Sequence, residues 1–149
     1  MHVALVTGAS GGIGAAIAER LAVEGFAVGL TAYSRPDAGK RVRDRIRAAA
    51  GKAECFRADV SRESEVARVF DAVHASLGAL DVVISNAGVW PRVTVYDMSV
   101  ADWEQVIATN LRSTFLVCRA AARTTRRAKP ASSSSPSHSR WSWLQNASW

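Results

Sequence analysis

Only two cysteines, Cys55 and Cys118, and three histidines, His2, His74 and His138, occur in the 149 residues. No two of them stand at metal-ligand spacing and the cysteines lie far apart. Neither a metal site nor a disulfide framework is expected, and a reduced, cytoplasmic protein is the reading that follows. There is no run of eighteen apolar residues and no basic-then-apolar leader, which argues against a membrane span and a signal peptide. A charge excess is also missing where it would matter. Of the 19 Lys and Arg, six (Arg119, Arg123, Arg126, Arg127, Lys129 and Arg140) lie beyond residue 118, and the 13 before them face 13 Asp and Glu. The formal +6 is confined to one end, so no nucleic-acid partner is expected for the folded part.

What is present suits a single domain with a real core: 48% apolar and 21% charged residues, ordinary values for a globular chain of this length. Four short apolar runs alternate with four helical patterns, which predicts a parallel sheet covered by helices on both faces. The runs are HVALVT (2–7), FAVGLT (26–31), AECFRA (53–58) and LDVVIS (80–85). The last is nearly all apolar, as expected of a strand buried on both faces. Between them Ile13, Ile17 and Leu21 recur at i, i+4 and i+8, with Gly25 placed to end that helix. Residues 37–50 form a charged helix. Ser61 has the character of an N-cap for a third helix, whose stripe is Val66, Val69, Phe70 and Val73 and which Gly78 stops. Ser99 and Asp102 form a capping-box variant that opens the last helix. Along it run Trp103, Val106, Ile107, Leu111, Phe115 and Val117, to about Ala122.

The first strand runs straight into TGASGGIG (7–14) and then a helix. Gly8 permits a tight turn off the strand, Gly12 lets backbone N–H groups approach a pyrophosphate, and Gly14 lets the helix sit close to the sheet. A phosphate placed there meets the orphan donors and partial positive charge of a helix N-terminus. Strand, glycine turn and helix inside a βαβ pattern point to a bound nucleotide.

The spacing T-G-x-x-x-G-x-G resembles the short-chain dehydrogenases/reductases, with the 3-oxoacyl-[acyl-carrier-protein] reductase-like branch most similar. Three further stretches match the family: Asp59-Val60 after the third strand, Asn86-Ala87-Gly88 after the fourth, and Trp103…Asn110-Leu111-Arg112-Ser113-Thr114-Phe115 in the last helix. The resemblance covers residues 2 to about 123. It implies a Rossmann-type doubly wound α/β fold and an oxidoreductase that moves hydride between a nicotinamide and a ketone or alcohol, such as a 3-oxoacyl thioester. It implies that Thr7, Gly8, Ser10, Gly12, Ile13 and Gly14 surround the pyrophosphate. Asp59 and Val60 would then meet the adenine, and Asn86, Ala87 and Gly88 would line the adenine and ribose side. By the same resemblance Asn110 would bend its helix and order a proton-relay water, as one of the family's four catalytic positions. The resemblance also implies dimers or tetramers formed through the helix at 102–122. At the end of the second strand an acidic residue favours NAD; here Ser34 and Arg35 stand instead, a pair suited to a 2′-phosphate, and NADP is favoured over NAD.

The family's chemistry needs a Tyr with a Lys four residues on, to protonate a carbonyl oxygen at a tuned pKa, and a Ser to orient the carbonyl. Tyr33 is followed at that place by Asp37 and Tyr96 by Val100, so the chain reads as an N-terminal fragment, inactive alone and truncated after the fourth strand and its helix. Residues 1–123 form an incomplete dinucleotide-binding domain. Residues 124–149 are a Ser/Arg/Trp-rich tail, either disordered or out of frame. TCN serine codons read one base earlier encode only Phe, Leu, Ile or Val, so Ser132–Ser135 would conceal an apolar strand. Ser137 near the expected catalytic Ser is then coincidence. A non-catalytic dinucleotide-binding or interaction protein is the alternative, with the tail's Trp141, Trp143 and Trp149 meeting a partner.

Overall fold

The computed structural model describes residues 1–127, with side chains described through Thr124. Most of the expected tail, with Ser137 and its three tryptophans, lies outside them. Four parallel strands, β1 (Val3–Val6), β2 (Ala27–Thr31), β3 (Ala53–Phe56) and β4 (Val82–Ile84), form one sheet in the order β3-β2-β1-β4. The registers pair Val3 with Ala27, Val28 with Ala53 and Ala4 with Val82. Helices α1 (Gly12–Val23), α2 (Pro36–Ala48) and α3 (Glu63–Leu77) connect successive strands. After β4 come α4 (Val100–Val106), a π-helical turn (Ile107–Arg112) and α5 (Ser113–Arg127), which continues past the expected end near Ala122. This is the Rossmann-type fold the pattern predicts, with the order of connections reversing between β1 and β4.

The side-chain alternation of a strand divides the core into two layers. Val6, Val28 and Leu30 face Ala15, Ala18, Val42 and Ile46 of α1 and α2. Val3, Leu5 and Ala27 face Val66, Val69, Phe70 and Val73 of α3 and Leu116 and Val117 of α5. The stripe expected on α3 is therefore the buried one.

Four local expectations change. The α1 stripe packs only in part: Ile17 and Leu21 lie half-buried against the core, but Ile13 is 74% exposed, and Gly14, Ala15 and Ala18 are the buried residues. Small residues let the helix axis approach the sheet, and a bulky neighbour one position away is turned aside. Ser61 does not cap α3; Arg62 precedes its first residue in extended conformation with no side-chain cap, and Ser61 donates instead to Asp59. Glu63 and Glu65 in the first turn complement the positive helix end. β4 is three residues long and half-buried, because among the described residues it pairs only with β1. In the last helix, Leu116 and Val117 are buried while Trp103, Leu111 and Phe115 are exposed. The π turn causes this, since an i→i+5 turn shifts the helical phase and splits one sequence stripe into two faces. The capping box at Ser99 and Asp102 is present.

Candidate nucleotide-binding site

The carboxyl ends of β1, β2 and β4 converge on the turn after β1. Gly8 there has φ +67°, and a Cβ on it would stand 2.7 Å from the Ala87 Cα. That left-handed turn with a neighbouring backbone in contact admits glycine alone. Thr7 is buried, and its Oγ1 accepts the N–H groups of Asn86 and Ala87 at 3.0 Å each. The Asn86 amide returns the contact, donating to the carbonyls of Thr7 at 3.0 Å and Gly8 at 3.2 Å. From the other side Thr31 receives Gly8 N–H on its hydroxyl (3.2 Å) and Ala9 N–H on its carbonyl (2.9 Å). The turn is thus held by side chains whose own capacity is spent on backbone.

Past it the chain opens. Gly12 begins α1 at φ +55° with no atom within 4 Å of the place a Cβ would occupy. Gly11 offers no side-chain cap to the helix, so the first-turn N–H groups face this space and fit an anion. The Ser10 side chain makes no hydrogen bond among the described residues, and Ile13 projects outward. Gly14 does the reverse: a Cβ there would press into the Asn86 amide and lie 2.7 Å from the Gly8 carbonyl oxygen. The cradle thus has a filled floor and an empty mouth, the shape a pyrophosphate requires.

At the exit of β2, Tyr33, Ser34 and Arg35 are exposed. An Arg35 guanidinium nitrogen lies 3.6 Å from where a Gly11 Cβ would be, which places the cation beside the cradle, with no carboxylate partner among the described residues. The next acid, Asp37, is engaged by Lys40 at 3.0 Å, a hydrogen bond that draws its carboxyl below the usual range. Asp59 after β3 is only 18% exposed in its side chain. It accepts the Ser61 N–H at 3.0 Å and hydroxyl at 2.6 Å and stands 3.3 Å from Arg62 Nε. A carboxylate has further lone pairs, so this fixed group can still receive an amine. Val60 beside it is buried.

Asn110 sits in the π turn. Its Oδ1 accepts Val89 N–H at 2.8 Å and its Nδ2 donates to the Val89 carbonyl at 3.0 Å, a two-bond clamp on one peptide unit. Gly88 makes room, since a Cβ there would lie 3.3 Å from Asn110 Oδ1. The Thr114 hydroxyl donates to the Asn110 carbonyl at 2.9 Å and lies 3.2 Å from the Ser85 hydroxyl.

Most of the residues singled out from the sequence therefore meet at one end of the sheet. Thr31 joins them, and a Thr ending a buried strand is a signal that its hydroxyl has backbone work. Arg57 carries no such signal. Its guanidinium carbon lies 6.0 Å from the Tyr33 ring centre, a contact between residues 24 positions apart that only strand register creates. Among the described residues no helix is long and apolar enough to cross a membrane.

Known proteins share this arrangement. Elsinochrome reductase 1 of Elsinoe fawcettii is 40% identical over 119 residues, covering 80% of this chain and 45% of that protein. The 3-oxoacyl-[acyl-carrier-protein] reductase FabG of Staphylococcus epidermidis is 36% identical over 112 residues, covering 75% and 46%. The crystal structure of a metagenomic short-chain oxidoreductase in complex with NADP superposes with a TM-score of 0.78 at 41% identity, over 85% of this chain and 57% of that one. A Serratia marcescens short-chain dehydrogenase/reductase gives 0.78 at 34% identity, over 83% and 50%. The chain spans about half the length of the curated relatives it matches. The family model described as short chain dehydrogenase matches residues 2–132, and with the glycine cradle, the parallel sheet and these likenesses in hand, the chain belongs to the short-chain dehydrogenase family.

Proposed function

We propose that this chain is the cofactor-binding part of an NADP(H)-dependent carbonyl reductase or alcohol dehydrogenase. The observation that carries the cofactor choice is Arg35, a guanidinium without a carboxylate partner at the rim of the cradle, where an acid would repel a 2′-phosphate. When bound, the dinucleotide supplies a hydride to a carbonyl carbon, or accepts one from an alcohol. Gly8, Ser10, Gly12, Ile13 and Gly14 hold the pyrophosphate, against a turn that Thr7 braces. Ser34 and Arg35 hold the 2′-phosphate, Asp59 and Val60 the adenine, and Asn86, Ala87 and Gly88 form the wall on the adenine and ribose side. Asn110 positions the segment after β4 through the Val89 peptide. A ketone such as a 3-oxoacyl thioester suits the likeness to the Staphylococcus reductase.

Cys55 and Cys118, both free thiols, suit a reducing cytoplasmic setting. The exposed Trp103, Leu111 and Phe115 suit self-association through the α4–α5 face. A second reading, a non-catalytic dinucleotide-binding protein, is favoured by one feature: no Tyr in the 149 residues has a Lys four positions on. Both readings share a test. The purified chain should bind NADPH more tightly than NADH in a titration and show no NADPH oxidation with any ketone. Tighter NADH binding would overturn the NADP assignment, and turnover would overturn the inactivity of the chain.

A further inference from the structure

We propose that Arg57, at the exit of β3, is a second determinant of cofactor specificity, held by the Tyr33 ring so that two guanidiniums rather than one face the adenosine 2′-phosphate. The inference rests on the NADP reading above. β2 and β3 end level, with Thr31 paired to Phe56 and the Ala32 N–H on the Phe56 carbonyl at 3.0 Å. Arg57 therefore leaves the sheet beside the segment that carries Tyr33, Ser34 and Arg35. Its guanidinium lies at the outer limit of cation–π attraction over Tyr33, which restrains a long side chain before any ligand arrives.

Most cations on the neighbouring elements are paired, Arg41 on α2 and Lys52 before β3 being exceptions among the described residues. Lys40, Arg43, Arg45, Arg47, Arg62 and Arg68 on the neighbouring elements each have a carboxylate within 4 Å. Arg57 and Arg35 have none among the described residues. The nearby acids are spoken for: Asp37 by Lys40, Glu54 by Arg47, Asp59 by Ser61 and Arg62. A phosphomonoester carries close to two negative charges at neutral pH, so one guanidinium leaves it half neutralised. Two planar forks match it in charge and in acceptor number.

The test uses adenosine 2′,5′-bisphosphate and 5′-AMP as probes of the folded 149-residue chain by calorimetric titration, since both reach the adenosine end of the site without the nicotinamide. The wild-type chain should prefer the bisphosphate. R57A should weaken the bisphosphate roughly tenfold, the loss of about one charge-assisted contact, and leave 5′-AMP unchanged. R57K should recover part of the loss, Y33A should weaken the same ligand less, and K52A at the far end of β3 should change nothing. R57Q replaces R57A should the latter lower the melting temperature. If the wild type shows the preference and R57A or R57Q leaves it intact, the role of Arg57 is refuted while the NADP reading stands. An equal loss for both nucleotides reduces Arg57 to a general field effect and also refutes it. A wild-type chain that binds the two equally, or neither, refutes the NADP reading itself.

Discussion

Replacing Gly14 by Ala sets two effects against each other. Ala exceeds Gly in helix propensity by at most about 1 kcal/mol, and less in a first turn, so on local grounds G14A should stabilise α1. The added Cβ, however, would lie 2.7 Å from the Gly8 carbonyl oxygen and 3.2 Å from the Ala9 Cα, and would press into the Asn86 amide. Two of these three neighbours are backbone and cannot swing away. Overpacking of this kind costs about 1–3 kcal/mol. Displacing Asn86 adds about 1 kcal/mol for each of its bonds to Thr7 and Gly8. The net destabilisation is about 2–5 kcal/mol, which for a domain of this size lowers the melting temperature by about 8 °C or more. Thermal unfolding followed by circular dichroism measures it directly. A G14A variant that melts at or above the wild-type temperature would show that the helix does not rest on the turn after β1, and the account of the cradle floor would fail with it.

Three other perturbations separate local from global effects. Ser99→Ala removes the hydroxyl that accepts Asp102 N–H at 3.1 Å and should cost about 1 kcal/mol of helix stability. Because α4 buries no residue, the change should appear as faster amide exchange in its first turn with little shift of the global melt. Asp81 accepts the Val3 N–H at 2.8 Å, and that bond, aided by His2, holds its carboxyl below the usual 3.8. A lowered folded-state pKa stabilises above the unfolded value and is lost as pH falls through the folded one. D81A should therefore cost about 0.5–1 kcal/mol at neutral pH, the side chain being 45% exposed, and the gap to wild type should close below pH 3.8 in parallel urea titrations; a gap that persists at pH 2 would contradict it. Asn110→Asp removes the donor to the Val89 carbonyl and sets a carboxylate against the same peptide; a loss of about 1–2 kcal/mol is expected in urea unfolding.

What could be read from the sequence is what depends on neighbours in sequence. The glycine turn, the buried stripe of α3 and the capping box at Ser99 each follow from chemistry within a few residues, and each is present. The errors share a cause. An i, i+4, i+8 repeat marks the helix and the side of Ile17 and Leu21 that meets the core, but where glycine and alanine sit closest to the sheet the first member, Ile13, turns outward. The apolar pattern of residues 103–117 implies a helix of constant period, and the π turn around Asn110 breaks that period. Ser61 lies two residues before α3 and found a nearer acceptor in Asp59. The contact of Arg57 with Tyr33 has no sequence signal, since it depends on how β2 and β3 align.

The polar groups at the carboxyl end of the sheet fall into two physical classes that the motif alone runs together. Thr7, Thr31, Asn86 and Asn110 have their hydrogen-bonding atoms committed to peptide groups of the turns they brace, most of them far away in sequence. Groups so engaged, Thr7 and Thr31 buried and the two Asn half-buried, are costly to disturb, because removing one partner strands the other. Ser10, Ser34 and Arg35, with the first amides of α1, have no such commitment among the described residues. The first class fixes the position of the second: Thr31 and Thr7 seat the turn, the seated turn aims the helix end, and Arg35 reaches its rim. Ligand energy can come only from groups not already spent. Damage to the first class therefore reaches the ligand through the shape of the fold, and damage to the second leaves the fold intact.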